Sequence, residues 1–506
     1  MAPQQQQVEE DEHVYTLDEA LTALGFGKFQ YLVLGYAGLG SMVDAVEVMI
    51  LSFIGPAVKS QWGLSSTQET LITTVVFAGM LIGAYFWGIL ADNYGRRQAY
   101  FPFLVFTEKV YVCVSLFQIG KSLLIVAIVT TVSAFLSSFS PNYISLLILR
   151  MLVGTGLGGG PVYGSWFLEF VPSRNRGMWM VIYSTFWTIG TILEALLAMI
   201  IMPRLGWRWL LALSSIPSFA ALLLYIFTVE SPRYLCAEGR ISDAHDILRK
   251  IAVVNQTKLP PGMLVSDQVT QLDEEEEEEL LRPRANKIFN FKTGLSSSLM
   301  LLSPQLLRIT LLMWVVYFGN SFAYYGIILL TSQFSAGENQ CFSVALHVKN
   351  DTSLYTDVFI TSLAELPGLL ISAVVVEKVG RKYSMALMYI MGSLFLFPLV
   401  VPQNEALTTA LLFGARIWFI GTFTLAGVYC PEIYPTSVRS TGCGVASAVG
   451  RIAGMVSPIV AVQLVRGCHQ MAAIILFEVV VILSAISVLL FPVETKGREL
   501  VDHVSL

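Results

Sequence analysis

The chain has 506 residues, of which 55% are hydrophobic and 13% are charged, and its formal net charge at pH 7 is −5. A typical soluble domain is about 25% charged. The composition therefore excludes an ordinary soluble protein and predicts a helical protein that crosses the membrane many times. No basic patch indicates a nucleic-acid partner, and the cysteines have no spacing typical of a metal site.

Twelve apolar runs are long enough to cross a bilayer as helices. We predict spans near residues 31–57, 70–90, 122–139, 143–166, 178–201, 209–229, 306–330, 356–376, 383–401, 406–429, 442–465 and 470–491. The predicted fold class is therefore all-α, with two pseudo-symmetric six-helix bundles at residues 30–229 and 305–491. A polar loop at 230–304 joins them. Residues 1–29 and 492–506 are expected to be tails, the first with a short helix that begins at a Thr16 capping box.

The two halves repeat one charge pattern. Arg150 and Arg416 each open an apolar run, and an arginine within a membrane helix costs roughly 2.5–3.5 kcal/mol on insertion scales. Both should therefore face protein or water. Gly154 and Gly158 stand four apart and should let a second helix approach closely. Each run ends in an acidic and a basic residue seven positions apart, Glu169 with Arg176 and Glu432 with Arg439. This duplication is typical of transporters built from two similar halves.

The distribution of Lys and Arg predicts the orientation. With both termini in the cytoplasm, 20 of these residues lie in cytoplasmic segments and five in outside segments. Asn350 then belongs to a glycosylation sequon on an outside loop. Cys341 and Cys468 are the only cysteines expected outside, and we predict a disulfide between them. The alternative is two unrelated free thiols.

One further apolar run, at residues 99–120, does not fit the pattern. As a thirteenth span it would move every later basic loop to the outside. Asp92 and Glu169 are 77 positions apart, whereas the equivalent Glu377 and Glu432 are 55 apart, so the first half is longer by 22 residues. We interpret the run as an insertion at the cytoplasmic surface. The alternative is a genuine interfacial helix.

Charged loops after spans 2 and 8 share one motif. Residues 92–97 (DNYGRR) and 377–382 (EKVGRK) each have an acid followed, three positions later, by a glycine and two bases, which can bind helix ends and carboxylates. The motif resembles the loop signature of the major facilitator superfamily. Residues 230–235 (ESPRYL) and 492–497 (PVETKG) resemble its sugar-porter, organic cation and synaptic vesicle glycoprotein 2-like branch. Five further segments resemble the organic cation/carnitine and NiaP-type nicotinate transporters of that branch, at 16–30, 168–177, 206–212, 318–326 and 431–442.

The resemblance implies the major facilitator fold and a monomeric secondary carrier in the plasma or vacuolar membrane. It implies no enzymatic activity and no cofactor, with H+ as the coupling ion. In the family, loop charges form a cytoplasmic gating network that holds the two halves together. Its members here would be Asp92, Arg96, Arg97, Glu169, Arg176, Glu230, Arg233, Glu377, Arg381, Glu432, Arg439 and Glu494.

Ionisable residues within the spans are candidates for the solute and proton pathway, because such groups are costly in lipid. Asp44 and Glu47 lie three apart, on one helix face. Neighbouring carboxylates oppose each other's ionisation, so this pair suits a proton, although it would also attract a cation or form a structural pair with Arg150. The complete set is Asp44, Glu47, Arg150, Glu194, Glu365, Arg416 and Arg451.

Arg451 is the candidate for a solute carboxylate, because its planar guanidinium offers two parallel donors. Gly450 and Gly454 should leave open space around it. The alternative is that it only pairs with Glu365. Aromatic and amide side chains in the spans can stack a pyridine ring or enclose a quaternary ammonium. Those expected to line the cavity are Tyr163, Trp187, Asn320, Phe322, Tyr324, Tyr325 and Trp418.

The resulting functional prediction is proton-coupled uptake of nicotinate or N-methylnicotinate by alternating access. Carnitine or another organic cation is the alternative solute, and these residues do not separate the two because carnitine also has a carboxylate. A non-transporting membrane sensor on a carrier scaffold is the alternative of another class. The sequence has no combination of a nucleophile and a general base that would indicate an enzyme.

Overall fold

The computed structural model describes residues 14–94, 122–172, 176–237, 239–265, 301–304, 306–335, 352–434, 439–467 and 469–496. Two short strands apart, the regular elements in this part of the chain are helices. Each of the twelve predicted spans coincides with helical structure. Among the described residues, eleven helices are long and apolar enough to cross a membrane, and the third span contributes the shorter apolar helix Leu124–Ser137.

The first six spans form one bundle. Their helices are Lys28–Met49 with Leu51–Trp62, Ser66–Tyr94, Ser122–Ser137, Tyr143–Leu157 with Gly160–Leu168, Arg176–Leu205, and Trp207–Ser214 with Ile216–Leu224 and the 3-10 turn Tyr225–Phe227. We number these span 1 to span 6. We call the end of the bundle that contains Lys28 the terminal end, because the described parts of both tails, residues 14–29 and 492–496, lie there.

The last six spans form the second bundle. Their helices are Leu307–Ser335, Thr352–Leu363 with Glu365–Val379, Arg381–Leu396 with the 3-10 turn Phe397–Val400, Glu405–Ile433, Arg439–Pro458 with the π-helical turn Ile459–Leu464, and Gln470–Leu489. We number these span 7 to span 12. The halves meet where span 2 packs on span 11 and where span 5 packs on span 8.

Three of the spans break just before a proline. Span 4 breaks before Pro161, span 6 before Pro217 and span 8 before Pro367. Proline has no amide hydrogen and its ring clashes with the preceding turn, so the helical hydrogen-bond ladder is interrupted there. The breaks in spans 4 and 8 lie beside acidic residues of the candidate pathway.

Glycine allows spans 2 and 4 to touch through their backbones. A Cβ atom on Gly154 would lie 2.1 Å from the carbonyl oxygen of Val76, and one on Gly158 would lie 2.4 Å from the amide nitrogen of Ala84. Neither distance is sterically possible without movement of the backbone. The prediction that these two glycines allow a close helix contact is confirmed.

A small domain at the terminal end joins the N-terminal segment to the loop after span 6. The predicted capping box is present at Thr16, and it begins the helix Leu17–Leu24. The loop, predicted only as a polar connection, contains the helices Pro232–Ala237 and Ile241–Asn255. Strand β1 (Val14–Tyr15) pairs in parallel with β2 (Met263–Leu264).

Asn255 fastens this domain to span 1. Its side chain accepts a hydrogen bond from the Phe29 amide at 2.9 Å and donates one to Gln30 at 2.8 Å. A Cβ atom on Gly27 would lie 2.4 Å from the Asn255 side chain. The domain therefore caps the first turn of span 1 from a position far along the chain.

Several predictions concern parts of the chain outside the described residues. They are the insertion at 99–120, the glycosylation site Asn350, and the disulfide between Cys341 and Cys468. Arg96 and Arg97 also lie outside this part, as do the side chains of Asp92, Arg176 and Arg439.

Candidate solute pathway

A buried ion pair lies where the two halves meet, near the middle of the membrane helices. The Arg416 guanidinium of span 10 donates to Oε1 of Glu365 at 3.0 Å from Nε and at 2.7 Å from Nη2. The side chains are 1% and 0% exposed, respectively. Glu365 is the first residue of the helix that follows the break in span 8.

Three residues complete the shell of this pair. The Tyr324 hydroxyl donates to Oε1 of Glu365 at 2.7 Å, and the Thr191 hydroxyl donates to Oε2 at 3.0 Å. The Trp187 indole in turn donates to the Tyr324 oxygen at 2.8 Å. Because Trp187 and Thr191 belong to span 5, this network connects the second half to the first. Four hydrogen bonds to the Glu365 carboxylate offset the free-energy cost of burying it.

A second acidic and basic cluster is buried inside the first half. Arg150 donates from Nη1 to Glu47 at 2.9 Å and from Nε to Ser137 at 3.3 Å. Nearby, Glu194 accepts a hydrogen bond from Ser214 at 2.7 Å. These three charged side chains are at most 1% exposed. Arg150 thus pairs with Glu47, as the structural alternative proposed for that residue. Asp44 forms no salt bridge with Arg150 among the described residues.

Asp44 and Arg451 differ from these buried groups. Both are half-buried, and neither forms a salt bridge within the described part of the chain. They belong to different halves, yet they are close enough for the guanidinium of Arg451 to act electrostatically on Asp44. Arg451 donates to the sulfur of Met80 at 3.2 Å, and a thioether is a weak acceptor. It also interacts with the side chain of Tyr325.

The carboxylate of Asp44 lies against the break in span 4. A Cβ atom on Gly160 would be 2.2 Å from its Oδ2 atom, so the carboxylate approaches the first residue of the helix Gly160–Leu168. The amino end of a helix carries partial positive charge, which favours an anion there. Asp44 also borders a cavity between spans 1, 3, 4 and 6, whose polar lining is Thr130, Thr131, Tyr163 and Ser218.

Two expectations about Arg451 are wrong. Gly450 and Gly454 do not leave open space, because added Cβ atoms would lie 2.7 Å from Ser321 Oγ and 2.5 Å from the Phe77 ring, respectively. These glycines allow spans 7 and 2 to pack against span 11. The alternative pairing of Arg451 with Glu365 is also not found, since Glu365 is occupied by Arg416.

Aromatic side chains pack together where the two halves meet. Tyr325, which also interacts with Arg451, lies with its ring centroid 4.7 Å from that of Phe77. Phe423 stacks against Trp187 at 6.4 Å and contacts Tyr324 at 5.4 Å. The predicted Trp187, Tyr324 and Tyr325 are therefore brought together. Phe77 and Phe423 were not predicted, because they look like ordinary apolar residues of a span.

The remaining predicted lining residues lie in two other places. Tyr163 borders the cavity beside Asp44. Asn320 donates to the Thr422 carbonyl at 3.3 Å and accepts from Tyr389, so its amide serves contacts inside the second bundle. Phe322 packs on Phe477, and Trp418 packs against the core of the same bundle. Asn320, Phe322 and Trp418 are therefore not brought to Arg451.

A polar contact between the halves closes the end opposite the termini. Arg466, after span 11, donates to Glu69 of span 2 at 2.9 Å and to Gln333 of span 7 at 2.6 Å. Lys59 of span 1 lies 3.6 Å from the same carboxylate. The Glu69 and Arg466 side chains are 3% and 9% exposed. The sequence did not single these residues out, because charges near span ends are ordinary.

The predicted charge network is well formed at the terminal end of the second half. Glu494 accepts from the backbone amides of Arg381 and Lys382 at 2.8 and 3.0 Å, which caps span 9. The Arg381 guanidinium lies 3.3 Å from Glu432. Gly380 has φ +97°, and a Cβ atom there would lie 2.8 Å from the Glu494 carboxyl carbon. The motif glycine thus permits both the turn and the cap.

The network was expected to hold the two halves together, and among its other described members Arg233 and Glu230 have contacts within the first half. Arg233 pairs with Asp18 of the N-terminal helix, a partner that was not predicted. Glu230 is buried and accepts a hydrogen bond from the Ser231 amide at 3.1 Å. Glu169 is half-buried and Glu377 is exposed. Five of the twelve members lie outside the described residues, wholly or with their side chains, so the gating role of the network stays a prediction.

Comparisons with known proteins agree with this architecture. Residues 109–504 match the family model described as "Sugar (and other) transporter". The chain is 52% identical to organic cation/carnitine transporter 7 of Arabidopsis thaliana, with 97% of each chain covered. It is 35% identical to the synaptic vesicle 2-related protein of Xenopus laevis, which covers 96% of this chain and 82% of that protein.

Solved structures give the same fold. The proton:xylose symporter XylE, described as a major facilitator superfamily protein and bound to 6-bromo-6-deoxy-D-glucose, superimposes with a TM-score of 0.66. A partially occluded inward open form of XylE from E. coli gives 0.64. These two are 17% and 16% identical to this chain and cover 93% of it, with 98% and 100% of their own lengths aligned.

Proposed function

This chain belongs to the sugar (and other) transporter family of the major facilitator superfamily, and we propose that it takes up nicotinate or N-methylnicotinate together with protons. The family is one of multi-pass membrane transporters and not of enzymes. The particular solute and the coupling ion are our proposal. We further propose that the protein acts as a monomer in the plasma membrane, with both termini in the cytoplasm.

The burial and the salt bridges of the seven ionisable residues within the spans support the choice of solute. Five of them are completely buried in two polar clusters, whereas Arg451 and Asp44 are half-buried and without a salt bridge among the described residues. Arg451 can therefore bind a solute carboxylate through two parallel donors. Tyr325 and Phe77 are buried aromatic residues near it, with ring centroids 4.7 Å apart, and in the loaded carrier their rings would pack against a flat solute ring.

Charge balance supports proton coupling. Glu47, Arg150 and Glu194 share one buried cluster, which would carry a net charge of −1 with all three ionised. A net charge is expensive inside a membrane protein. A proton on one carboxylate would neutralise the cluster, and its release would be coupled to the movement of spans 1, 4 and 5.

Carnitine or another organic cation is the second candidate solute. The name of the Arabidopsis relative includes both, and Asp44 could face a quaternary ammonium while Arg451 binds the carboxylate. Nicotinate itself has no such cation. Competition between the two solutes therefore separates the candidates.

The test is uptake of labelled nicotinate into cells that express the full chain, at acidic and at neutral external pH, with carnitine as competitor. We expect uptake that rises at acidic pH and is unaffected by carnitine. Inhibition by carnitine without a pH effect would transfer the assignment to an organic cation carrier. If there is no uptake, the assay is repeated without residues 99–120. Continued absence of uptake, with protein present at the membrane, would favour the sensor alternative.

Alternating access also gives a prediction for the opposite-end contact. Glu69→Gln and Arg466→Gln should each lower the maximal uptake rate by about tenfold or more, because loss of one partner of a buried ion pair costs several kcal/mol. The double variant should be no slower than either single variant, since the two residues act through one contact. Initial uptake rates at saturating solute measure this effect.

Arg204→Gln is the matched control, because Arg204 is an exposed arginine at the same end of the bundle. It should transport at the wild-type rate. Additive losses in the double variant would show that Glu69 and Arg466 act separately, and would contradict a closing contact between the halves.

A further inference from the structure

Two cysteine side chains touch at the terminal end of the second half. Cys430 lies in the last turn of span 10 and Cys443 in the second turn of span 11, and their Sγ atoms are 2.9 Å apart. Cys430 is buried and Cys443 is half-buried. The other free cysteine in the described part of the chain, Cys236, belongs to the first half. No predicted function uses this pair.

The two sulfur atoms need to move only a short distance before a covalent bond can form. A disulfide has a sulfur separation of about 2.05 Å, so the two sulfurs must approach by less than 1 Å. Small changes in the side-chain torsions supply such a movement. Span 10 can also adjust locally, because Pro431 has no amide hydrogen and a Cβ atom on Gly427 would meet nothing within 4 Å.

We propose that Cys430 and Cys443 form a reversible disulfide when the protein meets a peroxide. The half-buried thiol of Cys443 reacts first. Its thiolate attacks one peroxide oxygen and the O–O bond breaks, which gives a sulfenic acid and one water. The thiolate of Cys430 then attacks the Cys443 sulfur, forms the S–S bond and displaces a second water. Two thiols are oxidised by two electrons in total, and one hydrogen peroxide is reduced to two waters.

The bond would join two segments that carry the charge network. Glu432 follows Cys430 by two positions and interacts with Arg381 of span 9 at 3.3 Å. Span 11 begins at Arg439, four positions before Cys443. The disulfide therefore fixes the end of span 10, with Glu432, to the start of span 11. A dithiol reductant restores the free movement of the two helix ends, so the site responds to the redox state of its surroundings.

The experiment uses the purified full chain in detergent, treated with hydrogen peroxide. Free thiols are then alkylated, disulfides are reduced, and the released thiols are labelled with a second reagent for peptide mass spectrometry. We expect the second label on both Cys430 and Cys443, and its loss when dithiothreitol precedes the alkylation. Cys443→Ser should remove the second label from Cys430, whereas Cys236→Ser should leave the pair unchanged.

A second measurement does not depend on the peptide analysis. Peroxide should raise the apparent melting temperature of the wild-type chain, because a crosslink restricts the unfolded ensemble, and it should not do so for Cys443→Ser. Two results would each overturn the proposal. One is recovery of Cys430 and Cys443 only as unlinked thiols or sulfenic acids at a peroxide dose that oxidises Cys236. The other is a cysteine-independent change in melting temperature. Both readouts are independent of the transported solute.

Discussion

Arg451→Ala should lower the ratio of maximal rate to KM for labelled nicotinate by at least about 30-fold. Removal of one partner of a buried, hydrogen-bonded charge pair costs about 2–5 kcal/mol, and 2 kcal/mol corresponds to that factor. The physical reason is the solute carboxylate, which would enter a half-buried site without its guanidinium. The loss should appear mainly in KM. Bound solute contacts the Arg451 guanidinium in every loaded state, so the contact affects binding more than the maximal rate.

Arg451→Lys is the informative companion variant. Lysine keeps the positive charge but cannot form two parallel hydrogen bonds to one carboxylate, so it should recover only part of the affinity. Arg308→Ala is the control, since Arg308 is an exposed arginine at the start of span 7 that donates a hydrogen bond to the Leu490 carbonyl. Wild-type KM in Arg451→Ala would remove this residue from the solute site. A loss of similar size in Arg308→Ala would show a general effect on the bundle.

The spans and their charges could be predicted because the bilayer imposes strong constraints on composition. A helix that crosses the bilayer must be long and apolar, so the number and order of the spans follow from the sequence. A charged residue within such a helix must face protein, which made Arg150, Arg416 and Glu365 visible as candidates. The turn at Gly380 was equally readable because it is a local feature, whereas its cap comes from Glu494 after span 12.

The pairing of these groups could not be predicted, because it depends on which helices are neighbours. Glu365 pairs with Arg416 and not with Arg451, although both arginines lie in the same half. Gly450 and Gly454 mark a small face of span 11, but the sequence does not state what packs against it. In the structure that face is filled by spans 2 and 7, and Arg451 extends beside them. Phe77 and Phe423 join the site for the same reason.

Glu365→Ala should produce the largest loss of stability among variants of the pathway. It would leave Arg416 buried without a carboxylate and would remove the acceptor of Tyr324 and Thr191. Breaking a buried ion pair by removing one partner costs about 3–5 kcal/mol. We expect a lower apparent melting temperature in detergent, together with fewer molecules that reach the membrane.

The double variant Glu365→Met with Arg416→Met tests the cause. Replacing both charges by apolar side chains of similar size is often neutral, so it should recover most of the melting temperature lost in Glu365→Ala. Glu377→Ala is the matched control, because Glu377 is an exposed acid on the same helix of span 8. If the double variant were no more stable than Glu365→Ala, the uncompensated charge of Arg416 could not be the reason for the loss. The hydrogen bonds from Tyr324 and Thr191, which join the two halves at this point, would then carry the stability of the pair.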